Sequence, residues 1–221
     1  MTSFDRLNEI RAKLAADIKI VAVSKTKPAE MIEELYERSG HRTFGENRVQ
    51  ELDAKHSLLS ADIDWHLIGH LQTNKIRYIA AYVGLIQSVD SFRLLTEINK
   101  EAIKYDRIIP CLLQFHIARE EAKYGFSIDE AYQMMDDNSF QGLSNISVSG
   151  VMGIATYTTD IQQIRTEFKT LYAYFADLKS KYFNQKPDFK DVSMGMTDDY
   201  QIAAQEGSTI VRIGSGIFGA R

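Results

Sequence analysis

The stretch IKIVAV at residues 18–23 decides the fold, because it is short, apolar and rich in β-branched side chains. Such a run is typical of a strand that is buried on both faces, as strands of parallel sheets are. Pro28 then starts a helical segment in which Ile32 and Leu35 share one face, and Gly40 follows its end. The repeating unit is therefore a buried strand, a polar turn and an amphipathic helix.

This unit recurs along the whole chain. Strands are predicted at residues 18–23, 42–44, 65–68, 85–89, 109–115, 148–154, 189–193 and 209–213. An extra helix is predicted at residues 3–16, before the first strand. Eight units predict a single (β/α)8 TIM barrel, which typically needs about 250 residues and has a lower limit near 200. We therefore expect residues 1–221 to form one barrel domain; an open doubly wound sheet is the alternative.

Composition excludes several classes of protein. The chain has 26 Lys+Arg and 30 Asp+Glu, a net charge of −4, so no general attraction to nucleic acid is expected. Its apolar runs are too short to span a bilayer, and its charged N-terminus lacks the apolar segment of a secretion signal. The single Cys111 cannot form an internal disulfide. We expect a cytoplasmic protein that binds neither nucleic acid nor membrane.

The loops after the last two strands predict an anion site. In TIM barrels, a phosphate often binds to the loops after strands seven and eight. Here these loops contain the hydroxyls of Ser193 and Ser215 and the flexible backbone of Gly214. Asp198 and Asp199 would repel a phosphate at the seventh loop, which favours the eighth; tight turns alone are the alternative explanation of the glycines.

Two cations are candidates for the same end of the barrel. Lys25 follows the first strand, where a partly desolvated amine can attack an aldehyde and form a Schiff base. A surface lysine is the alternative, and the competing lysines are Lys27, Lys75 and Lys123. Arg212 lies within the eighth strand, where a buried guanidinium needs a partner. The partner is either a ligand or an internal acid, for which Glu46 and Asp90 are the candidates.

Metal and hydrolase sites are poorly supported by the sequence. The five histidines include no HExxH motif, and His66 and His70 flank a predicted strand end. The serines lack a GxSxG elbow. We therefore predict no metal site and no Ser-His-Asp triad.

Five motifs in order carry a specific resemblance. They are VAVSKTKP at 21–28, FGENRVQEL at 44–52, WHLIGHLQTNK at 65–75, SMGMTDD at 193–199 and VRIGSGIFGAR at 211–221. Together the motifs, which span nearly the whole chain, resemble the pyridoxal phosphate homeostasis protein family. The resemblance implies a barrel like the N-terminal domain of alanine racemase, with pyridoxal 5′-phosphate (PLP) as its cofactor.

The resemblance also implies nine cofactor-binding residues. These are Lys25, Asn47, His66, Met152, Ser193, Met194, Arg212, Gly214 and Ser215. Lys25 would form the Schiff base, and Arg212 would lie beside the pyridine nitrogen, where a cation that does not protonate it weakens the electron sink. Ser193, Gly214 and Ser215 would contact the phosphate. The other four would line the cofactor, with His66 below its ring.

The implied role is storage or delivery of PLP without an established catalytic activity, by a monomer that could serve PLP-dependent apo-enzymes. A PLP-dependent amino-acid racemase is the alternative, but such an enzyme normally has a second domain, for which 221 residues leave no room. A third possibility is a barrel enzyme for a phosphorylated sugar, with Lys25 acting as in an aldolase. His70 and His116 depart from the family pattern, which leaves contacts from their loops in doubt.

Overall fold

Eight parallel strands form a closed barrel in the computed structural model, which describes residues 1–119 and 124–220. Each strand pairs with its neighbour in chain order. The strands are β1 Lys19–Val23, β2 Thr43–Glu46, β3 Asp64–Leu67, β4 Leu85–Val89, β5 Ile109–Phe115, β6 Ile146–Gly153, β7 Asp191–Ser193 and β8 Ile210–Ile213. All eight predicted strands are confirmed.

Helices connect the strands and surround the barrel. They are α1 Ser3–Arg11, α2 Ala29–Ser39, α3 Val49–Leu58, α4 Phe92–Ile103, α5 Ile128–Asp136, α6 Asn138–Gln141, α7 Ile161–Tyr182, α8 Tyr200–Gln205 and α9 Ser215–Phe218, with a 3-10 helix at Thr73–Tyr78 between β3 and β4. None of these helices is long and apolar enough to cross a membrane.

Closure of the sheet distinguishes the barrel from its alternative. β1 pairs with β8 in parallel, with Lys19 opposite Ile210 and Ala22 opposite Ile213. An open doubly wound sheet would leave its edge strands unpaired. The barrel prediction is therefore correct, and the open sheet is excluded.

The extra N-terminal helix is confirmed, but it is shorter than predicted. α1 begins with a capping box, in which the Thr2 side chain accepts from Asp5 N and the Asp5 carboxylate accepts from Thr2 N. It ends at Arg11 rather than at residue 16. The chain then tightens into turns, with Lys13 N bonded to Ile10 O and Leu14 N to Arg11 O, before it enters β1.

Side chains of the strands alternate between two environments. Those that point outward pack against the helices in one large apolar core, which includes Phe44, Trp65 and Phe168. Those that point inward form a small apolar cluster of Val21, Leu85, Leu112, Met152 and Ile210. Polar side chains share the barrel interior with this cluster, and they lead to the site described next.

Candidate functional site

A cavity of about 260 Å³ lies at the carboxyl ends of the strands, and we call it the mouth cavity. Its lining comes from β1, β8 and the ends or loops of four other strands, because parallel strands end at the same side of a barrel. The lining residues are Val23, Lys25, Asn47, Ile68, Ile154, Met196, Thr197, Asp198, Arg212, Gly214 and Ser215. The side chains and backbone there combine two cations, one carboxylate, hydroxyls and apolar walls.

Five of the nine predicted site residues lie together in this cavity: Lys25, Asn47, Arg212, Gly214 and Ser215. The other four do not line it. His66, Met152 and Ser193 are buried inside the barrel, below the mouth. Met194 packs in the outer core, because it follows Ser193 by one residue and successive side chains of a strand point to opposite faces. The structure thus differs from the prediction that Met194 would line the cofactor.

The turn that carries Lys25 is held on both sides by a buried charge network. Lys55 Nζ of α3 donates to Ser24 O at 2.8 Å, to Glu46 Oε1 at 2.7 Å and to Glu51 Oε1 at 2.7 Å. Thr26 N donates to the same Glu51 oxygen at 2.5 Å. The residues before and after Lys25 are therefore fixed, although Lys25 itself is only half-buried.

Thr26 needs this support because its φ is +66°, a left-handed conformation that costs a β-branched residue free energy. Glu46 is fully buried, and its Oε2 has no hydrogen-bond partner among the described residues. Burial raises the pKa of Glu46, against the bonds from Lys55 and Ser24, which lower it. The network therefore has a free-energy cost that is offset by the ion pair.

Lys25 differs from the lysines that compete with it. Among the described residues, no carboxylate pairs with its ammonium, which faces the mouth cavity. Lys27 Nζ donates to Ala220 O at 2.9 Å, and Lys75 lies in a separate surface cleft beside Tyr78. Lys123 lies outside the described residues. Of the described lysines among these candidates, Lys25 is the one that lines the mouth cavity.

Arg212 is buried at the base of the cavity. Its NH1 donates to Ser193 Oγ at 2.6 Å, and its NH2 donates to Gly153 O at 2.9 Å. Burial lowers its pKa to about 10, partly opposed by the charge of Asp199, so the guanidinium stays protonated at neutral pH. The alternative of an internal ion pair of Arg212 with Glu46 or Asp90 is not realised, because Glu46 pairs with Lys55 and Asp90 with His70.

Hydroxyl and amide groups of the loops after β7 and β8 meet at the wall of the mouth cavity. Thr197 Oγ1 accepts from Ser215 Oγ and from Gly216 N, both at the long distance of 3.3 Å. A Cβ at Gly216 would lie 3.0 Å from Ile213 and 3.1 Å from Thr197 side-chain atoms, so a larger residue would make these side chains shift. Long hydrogen bonds of this kind are readily exchanged for bonds to a ligand. These groups form a cradle suited to an anion.

The two neighbouring acids behave differently. The Asp199 carboxylate turns back to its own loop and accepts from Met196 N at 2.5 Å, while Asp198 lines the cavity. Burial raises the pKa of Asp199. The repulsion that we expected at the seventh loop therefore comes from Asp198.

Four of the five histidine side chains, all but that of His116, make hydrogen bonds or stacking contacts within the described residues. No cluster of three or more potential metal ligands occurs in residues 1–119 and 124–220. His70, the departure in the third loop, bonds to Asp90 at 3.0 Å and stacks on Tyr124. His116 leaves its Nε2 unpartnered among the described atoms. His66 is occupied on both ring nitrogens, by Gln87 and by Asp64.

Sequence reasoning did not single out several residues of this site. Gln87 contacts both His66 and Ser193, and like the rest of the strand LIQSV it is buried. A polar side chain at an inward position of a buried strand was the available signal. Lys55 carried no signal, because a lysine near the end of a helix is usually exposed.

Comparisons with known protein sequences agree along the whole chain. The family described as "Alanine racemase, N-terminal domain" matches residues 4–221. The pyridoxal phosphate homeostasis protein of Aquifex aeolicus is 37% identical over 204 residues, which cover 92% of this chain and 87% of the relative. The human protein of the same name is 37% identical over 213 residues, covering 92% of this chain and 76% of the relative.

Solved structures are also similar to this chain over nearly its whole length. The structure of PipY from Synechococcus elongatus with PLP bound is 31% identical, has a TM-score of 0.85 and matches over 99% of this chain and 100% of that one. An alanine racemase of Clostridium difficile has a TM-score of 0.76 at 16% identity, and the match covers 100% of this chain and 56% of the racemase. The racemase similarity shows the shared fold alone.

Proposed function

The chain belongs to the alanine racemase N-terminal domain family and to the pyridoxal phosphate homeostasis proteins, and on this premise we propose that it binds PLP in the mouth cavity. Its role is intracellular PLP homeostasis, in which it stores the cofactor or passes it on. One observation carries the proposal: the Lys25 amine, the buried Arg212 guanidinium and the anion cradle line one cavity.

The donor set fits the three functional groups of PLP. PLP supplies an aldehyde, which condenses with an amine to an imine and releases one water. Lys25 Nζ is the amine, and the Lys55 network holds the turn that presents it. Two of the five N–H groups of Arg212 are used within the protein, so the others are available to the pyridine nitrogen.

The phosphate would fit the cradle of Thr197, Ser215 and Gly216, with Gly214 and Asn47 beside it in the cavity lining. Ser193, predicted as a phosphate contact, donates instead to Gln87 Oε1 and accepts from Arg212. Ser193 would therefore contribute to PLP binding by holding Arg212 in place. Met152 and His66 likewise act from below the site rather than at its wall.

A cation that does not protonate the pyridine nitrogen favours storage over catalysis. With a pKa of about 10, Arg212 keeps its proton and donates a hydrogen bond only. A pyridine that stays neutral withdraws electrons weakly from the carbon that a racemase must deprotonate. We therefore propose no racemase activity, in line with relatives that are named for homeostasis.

The test is covalent trapping of PLP. The purified protein with added PLP should develop the visible absorption of a Schiff base, and borohydride followed by peptide mass spectrometry should place the adduct on Lys25. Lys25→Ala should lose both signals, whereas the control Lys27→Ala should keep them, because Lys27 Nζ bonds to Ala220 O. An adduct on another lysine, or unchanged trapping by Lys25→Ala, would contradict the assignment. Binding of a sugar phosphate without PLP would favour the aldolase-like alternative.

We further propose a cytoplasmic monomer that supplies apo-enzymes. The free Cys111 is buried and suits a reducing compartment. The loaded protein should reactivate an apo-enzyme that requires PLP faster than it releases PLP to an aldehyde trap, and light scattering should give the mass of one chain. Reactivation no faster than this release would argue for storage without transfer.

A further inference from the structure

A continuous row of hydrogen-bonded side chains crosses the barrel interior below the mouth cavity, and we call it the hydrogen-bond chain. Arg212 NH1 donates to Ser193 Oγ at 2.6 Å, and Ser193 Oγ donates to Gln87 Oε1 at 2.6 Å. Gln87 Nε2 lies 2.8 Å from His66 Nδ1, and His66 Nε2 lies 3.1 Å from Asp64 Oδ2. The chain thus joins the buried cation at the mouth to an acid where β3 begins.

The two ends fix the direction of every bond. Arg212 can only donate, and an ionised Asp64 can only accept. Each group between them therefore accepts on the side of Arg212 and donates on the side of Asp64. This requires a neutral His66 whose proton is on Nε2, and it fixes the orientation of the Gln87 amide. A single arrangement of hydrogens satisfies all four bonds.

Burial makes this arrangement costly to break. Arg212, Ser193, Gln87 and His66 are each at most 4% exposed, whereas the Asp64 side chain is 37% exposed. Burial alone would raise the pKa of Asp64, but the hydrogen bond from His66 and the charges around it hold that pKa below its ordinary value. Asp64 therefore remains an anion at neutral pH, while the other members are shielded from water.

The backbone near Asp64 is adapted to this contact. A Cβ at Gly84 would lie 1.9 Å from Asp64 Oδ1, so only glycine leaves space for the carboxylate. The interiors of TIM barrels are usually filled by branched aliphatic side chains. Here, four polar side chains share the interior with the small apolar cluster, and each has its hydrogen-bond partners. Such polar groups add little net stability relative to apolar ones, which points to a role in the site.

We propose that Gln87, His66 and Asp64 are positioning residues that act through Ser193 to fix the guanidinium of Arg212 toward the pyridine nitrogen of PLP. This inference rests on the proposed function. Ser193 can accept from Arg212 in one geometry because its own proton is committed to Gln87. Hydrogen bonds that all run in the same donor-to-acceptor direction polarise and strengthen one another. We therefore expect a substitution of Asp64 to weaken the hydrogen bonds that hold Arg212.

The first test uses the protein without ligand. Nitrogen-15 NMR of the imidazole groups should show His66 with a protonated Nε2 and an unprotonated Nδ1 at neutral pH. Gln87→Glu should place a proton on Nδ1 as well, because the carboxylate at position 87 can only accept, while Nε2 keeps the proton that Asp64 accepts and the new carboxylate still accepts from Ser193. A His66 of the opposite tautomer in the wild-type protein would contradict the direction of the chain.

The second test uses the protein loaded with PLP. Gln87→Met removes both hydrogen bonds at similar volume, and we expect PLP release to become about 10-fold faster, with a shifted visible band. Asp64→Asn keeps an acceptor but loses the charge, and we expect release about 3-fold faster. Gln87→Glu should restore release to near the wild-type rate.

Matched controls separate positioning from packing. Leu112→Met is a volume-conserving change in the same barrel interior, and Asp62→Asn removes a carboxylate two residues from Asp64 that bonds to Arg42 instead. If Gln87→Met and Asp64→Asn release PLP at the same rate as these controls while the adduct stays on Lys25, the hydrogen-bond chain does not position Arg212. If the wild-type protein forms no adduct on Lys25, the proposed function itself fails. Asp64→Asn decides the matter if Gln87→Met does not fold.

Discussion

The outer and inner faces of the barrel sheet differ in composition and in what they do. The outer face packs against the helices in a continuous apolar core, in which Phe44, Trp65 and Phe168 are almost fully buried. The inner face divides between a small apolar cluster and the hydrogen-bond chain that leads to Arg212. The hydrogen-bond chain crosses the inner face, whereas the buried polar side chains of the outer face include the ion-pair network around Lys55.

This difference indicates a division of roles. The outer face supplies most of the buried apolar area and therefore most of the stability of the barrel. The inner face contributes less area and determines the geometry of the mouth cavity. Substitutions on the two faces should therefore separate the free energy of unfolding from PLP binding.

The largest expected effect is on the outer face. Phe168→Ala on α7 leaves a cavity in the outer core and should lower the free energy of unfolding by about 3–5 kcal/mol, measured by urea denaturation. Lys169→Ala, at an exposed position of the same helix, is the control and should change it by less than about 0.5 kcal/mol. The folded Phe168→Ala protein should bind PLP as the wild type does. A large loss of affinity would show that the two faces are not separable.

The second-largest effect on stability is expected for Lys55, which lies where the outer face of the sheet meets the mouth cavity. Lys55→Met leaves the carboxylate of Glu46 buried without its cation and should cost about 3 kcal/mol of stability. It should also slow trapping of PLP on Lys25, because Ser24 and Thr26 lose their common anchor. Lys100→Met removes an exposed ion pair with Glu97 and should leave both stability and trapping nearly unchanged. Equal effects of the two substitutions would contradict the role of the buried network.

The third prediction concerns the pH dependence of stability and His41, which lies just before β2 at the amino end of the barrel strands. Burial, followed by the charge of Arg11, lowers the pKa of His41 to about 4 from an ordinary value of 6.5. The unfolded chain therefore takes up a proton first, so stability is complete above pH 6.5 and falls as the pH drops toward 4. The His41 contribution lost is at most about 3 kcal/mol. Urea denaturation across this range should give a flatter profile for His41→Gln; an unchanged profile would exclude His41 as the cause.

The smallest effect is expected in the anion cradle. Ser215→Ala removes one hydroxyl from the mouth cavity and should weaken PLP binding by about 1 kcal/mol, roughly 5-fold, without changing stability. The loss should vanish for pyridoxal, which lacks the phosphate. Ser57→Ala on the exposed side of α3 is the matched control. An equal loss for PLP and pyridoxal would place Ser215 away from the phosphate.

The outer face explains why the fold could be predicted from sequence. Buried parallel strands and amphipathic helices differ in the spacing of their apolar residues along the sequence. Eight alternating strands and helices are compatible with few topologies. The positions of Lys25, Asn47, Arg212, Gly214 and Ser215 followed as well, because residues at strand ends meet at the mouth of a barrel.

The inner face could not be predicted in the same way. Which side chains meet across a barrel depends on the register between strands, which the sequence of one strand does not specify. Gln87 and Ser193 are 106 residues apart, and only closure of the barrel brings them together. The alternation of β7 would have excluded Met194 from the site once Ser193 was placed inside.

The pairing of β1 with β8 has a consequence for how the protein meets other chains. A strand at the edge of an open sheet exposes backbone groups that can pair with another chain and begin aggregation. Each of the eight described strands has a neighbour on both sides, whatever the mouth cavity contains. A barrel closed in this way leaves no unpaired strand, among the eight described, to which another chain could add.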